Sequence, residues 1–223
     1  MHAEADGGMR VGTWNLAGRW SAEHANLMAE QRCHVWLLTE VRDDVDLDGY
    51  CRHFSEGVMV GRRRWAAILS QQPLHARPDP HQASAAAEVG GITYCSSILP
   101  WRSCGSKPPW VGFKHADKTD AAVRELVEAL PRSGLIWGGD WNHALSGKEH
   151  AGSVGGRGHV LAAMNTLGLN APTGTLPHRI AGLLSIDHIA VPNDRRIAGA
   201  HRVQAKRNGH YLSDHDAYVV DIA

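Results

Sequence analysis

The chain has 223 residues, 43% of them hydrophobic, which is enough to bury one substantial core and too apolar for a disordered or fibrous protein. Lys plus Arg and Asp plus Glu balance at 23 each, which excludes the global positive field of a passive nucleic-acid-binding module. A polyanionic substrate would have to be drawn by local patches and a metal.

Residues 1 to 8 read as a flexible tail and 9 to 223 as a single domain. Met9 to Asn15 alternates and carries enough β-formers for a first strand. Ser21 is a suitable N-cap for a helix from Ala22 to Arg32 that buries Leu27 and Met28. Val35 to Thr39 is a continuous apolar run, as in a strand covered on both faces, and it stops at Glu40. Shorter strand-like pieces follow at Gly57 to Val60 and Trp65 to Ser70, then a loop from Pro73 to His81 and a strand from Ile92 to Leu99. Pro100 to Lys114 holds three prolines, two Trp and three basic residues, so an exposed loop is expected. A helix beginning at Asp117 or Thr119 runs to Leu130, where Pro131 ends it. Leu135 to Asp140 is a short buried strand entering a turn, and a third helix spans Gly158 to Leu167. Ser185 to Val191 and Tyr218 to Ile222 are the closing strands. Strands interleaved with helices predict one α/β domain, a two-layered sheet core flanked by helices.

No apolar run approaches the roughly 20 residues of a membrane span, so no membrane insertion is expected. Cys33, Cys51, Cys95 and Cys104 form no CxxC pair and the first residues lack a secretory pattern, which points to a reduced, cytoplasmic protein. No segment points to a protein partner. The fifteen His lack HExxH or HxxxH spacing, and His143, His150, His159 and His178 read as incidental, mostly surface residues.

Asn15, Glu40, Asp140 and Asp187 each fall at or near the end of an apolar strand-like run. If those strands are neighbours, several acidic groups converge, and such a cluster needs a cation to offset repulsion and desolvation. The candidates are oxygen donors apart from His215, which favours Mg²⁺ or Mn²⁺ over zinc.

Trp14-Asn15, Leu38-Thr39-Glu40-Val41, Gly139-Asp140-Trp141-Asn142, Ser185-Ile186-Asp187-His188 and Ser213-Asp214-His215, in that order, resemble the endonuclease/exonuclease/phosphatase superfamily with its DNase I-like fold. The resemblance implies a four-layered α/β sandwich, two packed mixed β-sheets flanked by helices, and hydrolysis of phosphoesters with Mg²⁺ or Mn²⁺ as cofactor. It implies Glu40 as principal metal ligand, helped by Asn15 and by Asp214 through water. Asp140 would orient and deprotonate the attacking water, Asn142 would hold water or phosphate, and His215, held by Asp187, would stabilise the phosphate oxygen. Where many members of the family place a second catalytic His or a Tyr, this chain has Tyr94-Cys95-Ser96-Ser97. Ser97 is either a phosphate donor or a plain strand hydroxyl, and a serine is no effective general acid. His188 follows Asp187 and points to the opposite side, as a structural or substrate-side residue.

Trp101-Arg102, Lys107, Trp110 and Lys114 interleave aromatic and basic groups, Arg62-Arg63-Arg64-Trp65 does likewise, and Lys206-Arg207 leads into Ser213-Asp214-His215. Such patches suit a nucleic-acid backbone or an ordinary solvated loop equally. A nuclease acting on DNA or RNA is the leading expectation. A phosphatase or phosphodiesterase for a small or lipid phosphoester is the alternative, and a catalytically inactive scaffold that binds nucleic acid or protein is a third.

Overall fold

The computed structural model describes residues 8–59 and 61–223. The expected tail therefore lies outside the described residues except for Gly8, as does Val60. β1 (Met9–Asn15) and β2 (Val35–Val41) run parallel, joined by α1 (Ala22–Gln31). The continuous apolar run of β2 is covered on both faces as its composition requires. Trp36 and Leu38 face α1 with Leu27 and Met28, while Val35 and Leu37 face the other sheet. Leu37 and Leu38 are fully buried, and each contributes roughly 2 kcal/mol on transfer from water.

β3 (Cys51–Phe54), β4 (Arg64–Ser70), β5 (His75–Arg77), β6 (Ser84–Val89) and β7 (Ile92–Ser97) follow. α2 (His115–Ala129) crosses to β8 (Leu135–Asp140), parallel to β7, and α3 (Val154–Thr166) packs beside α2. The chain closes through β9 (Leu169–Asn170), β10 (Asp187–Pro192), β11 (Ile197–Val203), the short hairpin β12 (Lys206–Arg207) and β13 (His210–Tyr211), and β14 (Ala217–Ile222).

Two six-stranded mixed sheets result, in the orders β11-β14-β1-β2-β4-β3 and β5-β6-β7-β8-β10-β9. Between them lies a layer of Val11, Leu37, Ile68, Tyr94, Ile136, Ile189 and Val220. α1 covers one outer face, and α2 and α3 cover the other through Leu126, Val160 and Trp137. The architecture is the expected four-layered α/β sandwich.

Several local expectations are corrected. Gly57 to Met59, the described part of the expected strand to Val60, is no strand, since Val58 makes only an isolated bridge to Arg64. β3, β5, β6 and β11 arise where none was expected. The third helix starts at Val154, because Ser153 caps it by accepting from the Gly156 N–H at 3.1 Å. The loop after Ile92 to Leu99 is anchored rather than wholly exposed, with Trp110 buried against Trp65, Trp101 and His81. Of the histidines read as mostly surface, His143 and His178 are buried, and His24, His81 and His188 are buried as well.

Candidate active site

The parallel pairs β1–β2 and β7–β8 bring their C-terminal ends to one edge of the sandwich. Antiparallel β10 then sets Asp187 directly opposite Asp140. Asp214 and His215 immediately precede β14, which runs antiparallel to β1 and so returns them to the same edge. Asn15 joins the two sheets there: its Nδ2 donates to Oδ2 of Asp140 at 2.9 Å and to Oε1 of Glu40 at 3.2 Å.

Backbone conformation is unusual at this edge. Glu40 and Asn142 both hold a left-handed conformation, with φ of 50° and 54°, a strain that non-glycine residues tolerate where the surroundings over-determine it. Gly139, with φ +122°, cannot be replaced without conflict, since a Cβ would stand 2.2 Å from the Ser97 carbonyl oxygen. That close approach seats Asp140. The Asn142 N–H then donates to Asp140 Oδ1 at 3.0 Å, and the Asn142 amide donates to the Leu99 carbonyl at 3.0 Å.

His215 Nδ1 donates to Asp187 Oδ2 at 2.8 Å, and its Nε2 lies 3.8 Å from Asp140 Oδ2. Ser213 Oγ donates to the Asn15 carbonyl at 2.6 Å and accepts from the His215 N–H at 3.1 Å, so the turn is tied to β1. Burial alone would lower the imidazole, but Asp187, Asp140 and Asp214 overcome it and push His215 up to about 10. His215 is therefore an imidazolium at neutral pH. Burial, with Asp187 adding to it, pushes Asp140 up to about 6 against the pull of His215 and Asn15. Burial also raises Asp187.

Asp140, Asp187 and His215 place donor atoms within 4.8 Å of one another. That trio is a poor cation cage, because the protonated ring already bridges its two carboxylates. Glu40 is the better holder: its side chain is 24% exposed, faces the cleft shared with Asp214, and already attracts a cation, the Arg63 guanidinium on Oε2. Hard oxygen donors and no thiolate fit Mg²⁺ or Mn²⁺. Asn15 differs from expectation here, since its Oδ1 accepts from the Ala17 N–H at 2.8 Å. As oriented it positions Glu40 and Asp140 through its NH₂ group.

The cleft measures about 500 Å³ and is walled by Met59, Arg63, Trp101, Arg102, His150 and His178 around Asp140, Asn142, Asp214 and His215. Trp101 and Arg102 thus reach it, although Arg102 spends Nε and Nη2 on the Gly152 carbonyl. The structure does not bring four other expected residues there. Ser97 is fully buried and its Oγ accepts from Ser84 and Trp137. His188 is fully buried between the His143 carbonyl and Thr173. Arg207 pairs with Glu30, and Lys206 lies 5.5 Å from the Tyr211 ring, both outside the cleft lining. His150 and His178, incidental by sequence, form an edge-on ring pair on the wall, 4.9 Å between centroids. No spacing signal marks them. Glu149 assembles that wall by accepting from the N–H groups of Ala144, His150 and Gly152 and pairing with Arg157.

No protein-family model matches the chain, and no curated protein matches it in sequence. Solved structures do. An AP endonuclease from Archaeoglobus fulgidus superposes with TM-score 0.73 at 16% identity, covering 95% of this chain and 98% of that one. The endonuclease domain of TRAS1, a telomere-specific non-LTR retrotransposon, gives 0.68 at 18%, covering 97% and 98%. The 3′ phosphatase NExo from Neisseria, as a variant bound to product DNA hairpin, gives 0.69 at 19%, covering 96% and 99%. The chain has the DNase I-like fold of the endonuclease/exonuclease/phosphatase proteins.

Proposed function

We propose that this protein is a divalent-metal-dependent phosphoesterase, foremost a nuclease that hydrolyses phosphodiester bonds of DNA. The observation that carries it is the line Asp187–His215–Asp140 at the floor of an open cleft beside Glu40, which sets a cationic acid and a carboxylate base side by side. Asp140, raised toward neutrality, takes the proton of an attacking water, and its neighbour Asn142 bounds the space in which that water sits. The His215 imidazolium, fixed by Asp187, donates to a non-bridging phosphate oxygen and offsets the charge that accumulates there. Glu40, with Asp214, would hold Mg²⁺ or Mn²⁺, which supplies Lewis-acid polarisation of the phosphoryl group.

DNA ranks above RNA because one solved structure of this fold, the 3′ phosphatase NExo, is bound to a product DNA hairpin. A second reading, hydrolysis of a terminal or small phosphomonoester, is favoured by the cleft volume of about 500 Å³, a size suited to a single nucleotide or small ester. Pure protein incubated with plasmid, single-stranded DNA, RNA, the diester bis(p-nitrophenyl) phosphate and the monoester p-nitrophenyl phosphate, with Mg²⁺, Mn²⁺ or chelator, separates these. Cleavage of DNA with metal, abolished by chelator and by Asp140→Asn, is expected. Cleavage that survives both chelator and Glu40→Gln would sink the metal reading, and phosphate release from small esters without polymer cleavage would establish the second.

A further inference from the structure

Arg63 sits on the carboxylate that the metal reading assigns to the cation. Its Nη1 pairs with Glu40 Oε2, and the two side chains are 32% and 24% exposed. Arg63 also lines two hollows, the catalytic cleft and a groove bounded by Gly18, Arg42, Asp43, Asp44 and Arg62. The placement is built into the chain. The Arg63 stem crosses Gly18, where a Cβ would stand 2.2 Å from Arg63 Cδ, and the Gly18 N–H donates to the Glu40 carbonyl at 2.8 Å. One glycine therefore accommodates both members of the ion pair.

We propose that Arg63 is a resident counter-ion of Glu40 that yields the carboxylate to the incoming divalent cation and transfers its guanidinium to a phosphate oxygen of the substrate. The inference rests on the metal-dependent reading of the same site. Glu40, Asp140 and Asp214 line one cleft, so without a cation the carboxylates repel one another, and Arg63 offsets that repulsion. A divalent ion on Glu40 repels the guanidinium in turn. The planar fork of Arg then finds a matching acceptor in a phosphate, which it can bind through two hydrogen bonds. Breaking the ion pair subtracts from metal affinity in the absence of substrate, and the phosphate recovers it, so metal and substrate binding are positively coupled.

Calorimetric titration of the substrate-free protein with Mn²⁺, wild type against Arg63→Ala and Arg63→Lys, tests this without turnover. Removing the competing cation should tighten Mn²⁺ binding about two- to fivefold, the range of a partly exposed ion pair, while the lysine variant stays near wild type. The sign is decisive, because mere damage to the placement of Glu40 weakens Mn²⁺ binding. Arg63→Gln, which keeps a polar stem over Gly18, repeats the measurement where Arg63→Ala folds poorly. Mn²⁺ binding to wild type with equal or weaker binding to both neutral variants overturns this inference alone. No Mn²⁺ binding by any of the proteins overturns the metal reading and this inference with it.

Discussion

His188 and His143 lie neutral beneath the cleft floor, and lowering the pH is expected to unfold the protein through them. His188 Nε2 donates to the His143 carbonyl at 2.9 Å, its Nδ1 faces Thr173 Oγ1 at 3.2 Å, and its ring packs on Trp141. His143 Nδ1 donates to the Trp141 carbonyl at 2.6 Å. Burial lowers each to about 4. The unfolded chain, with an ordinary imidazole near 6.5, takes up protons first as the pH falls. Stability is therefore fully present above about 6.5 and is lost progressively down to about 4. Between pH 7 and pH 5 a single such histidine loses about 2 kcal/mol, and the pair about 4 kcal/mol, a large part of the 5–15 kcal/mol typical of a folded domain. Urea unfolding of wild type and His188→Gln at both pH values measures it. The variant is less stable at pH 7, since it leaves a gap, but its further loss on acidification should be smaller by about 2 kcal/mol. In a thermal melt that difference is roughly 4–8 °C for a chain of this size. An identical acid-induced loss in the two proteins would refute the assignment of a neutral, buried His188.

Asp187→Asn keeps the shape of the partner but removes the charge that holds His215 protonated, so kcat is expected to fall roughly two to three orders of magnitude with the melting temperature little changed. Steady-state kinetics at several pH values reads it, and a loss below threefold would remove the Asp187–His215 pair from the mechanism. Gly139→Ala should destabilise the protein by on the order of 3 kcal/mol in urea, given the approach of its Cβ to the Ser97 carbonyl and its positive φ. Wild-type stability in that variant would mean the turn relaxes freely. Ser97→Ala should cost about 1 kcal/mol through the Trp137 and Ser84 hydrogen bonds it loses, with kcat/KM unchanged. A large kinetic defect with normal stability would restore Ser97 to the site.

The long, strongly patterned elements were legible because local chemistry and tertiary environment agree in them. β2 is apolar on both faces and is buried on both, and β1, α1, α2, β8 and β14 begin and end within a few residues of where their patterns do. β6 was not legible, because Ser-Ala-Ala-Ala-Glu-Val carries little strand preference. It is a strand since β7 offers it a full ladder from Ser84–Ser97 to Val89–Ile92. β3, β5 and β11 are partly exposed outer strands whose pairing likewise comes from a neighbour.

At the site, the carboxylates announced themselves by standing at the ends of apolar runs, a place where uncompensated charge is costly. By itself the sequence determined the α/β class and the strand ends that carry the acidic and imidazole groups, while their meeting at one edge came from the strand pairing. Only the tertiary structure decided which polar side chains share the space. His150 and His178 come to the cleft on loops with no periodicity to read, and Lys206 and Arg207, close to Asp214 in the chain, turn away on a hairpin. Ser97 and His188 lie on the right strands yet face the interior. Strand position sets the height of a residue along the edge, but which sheet face is open to water is settled only when the second sheet and the helices pack against it.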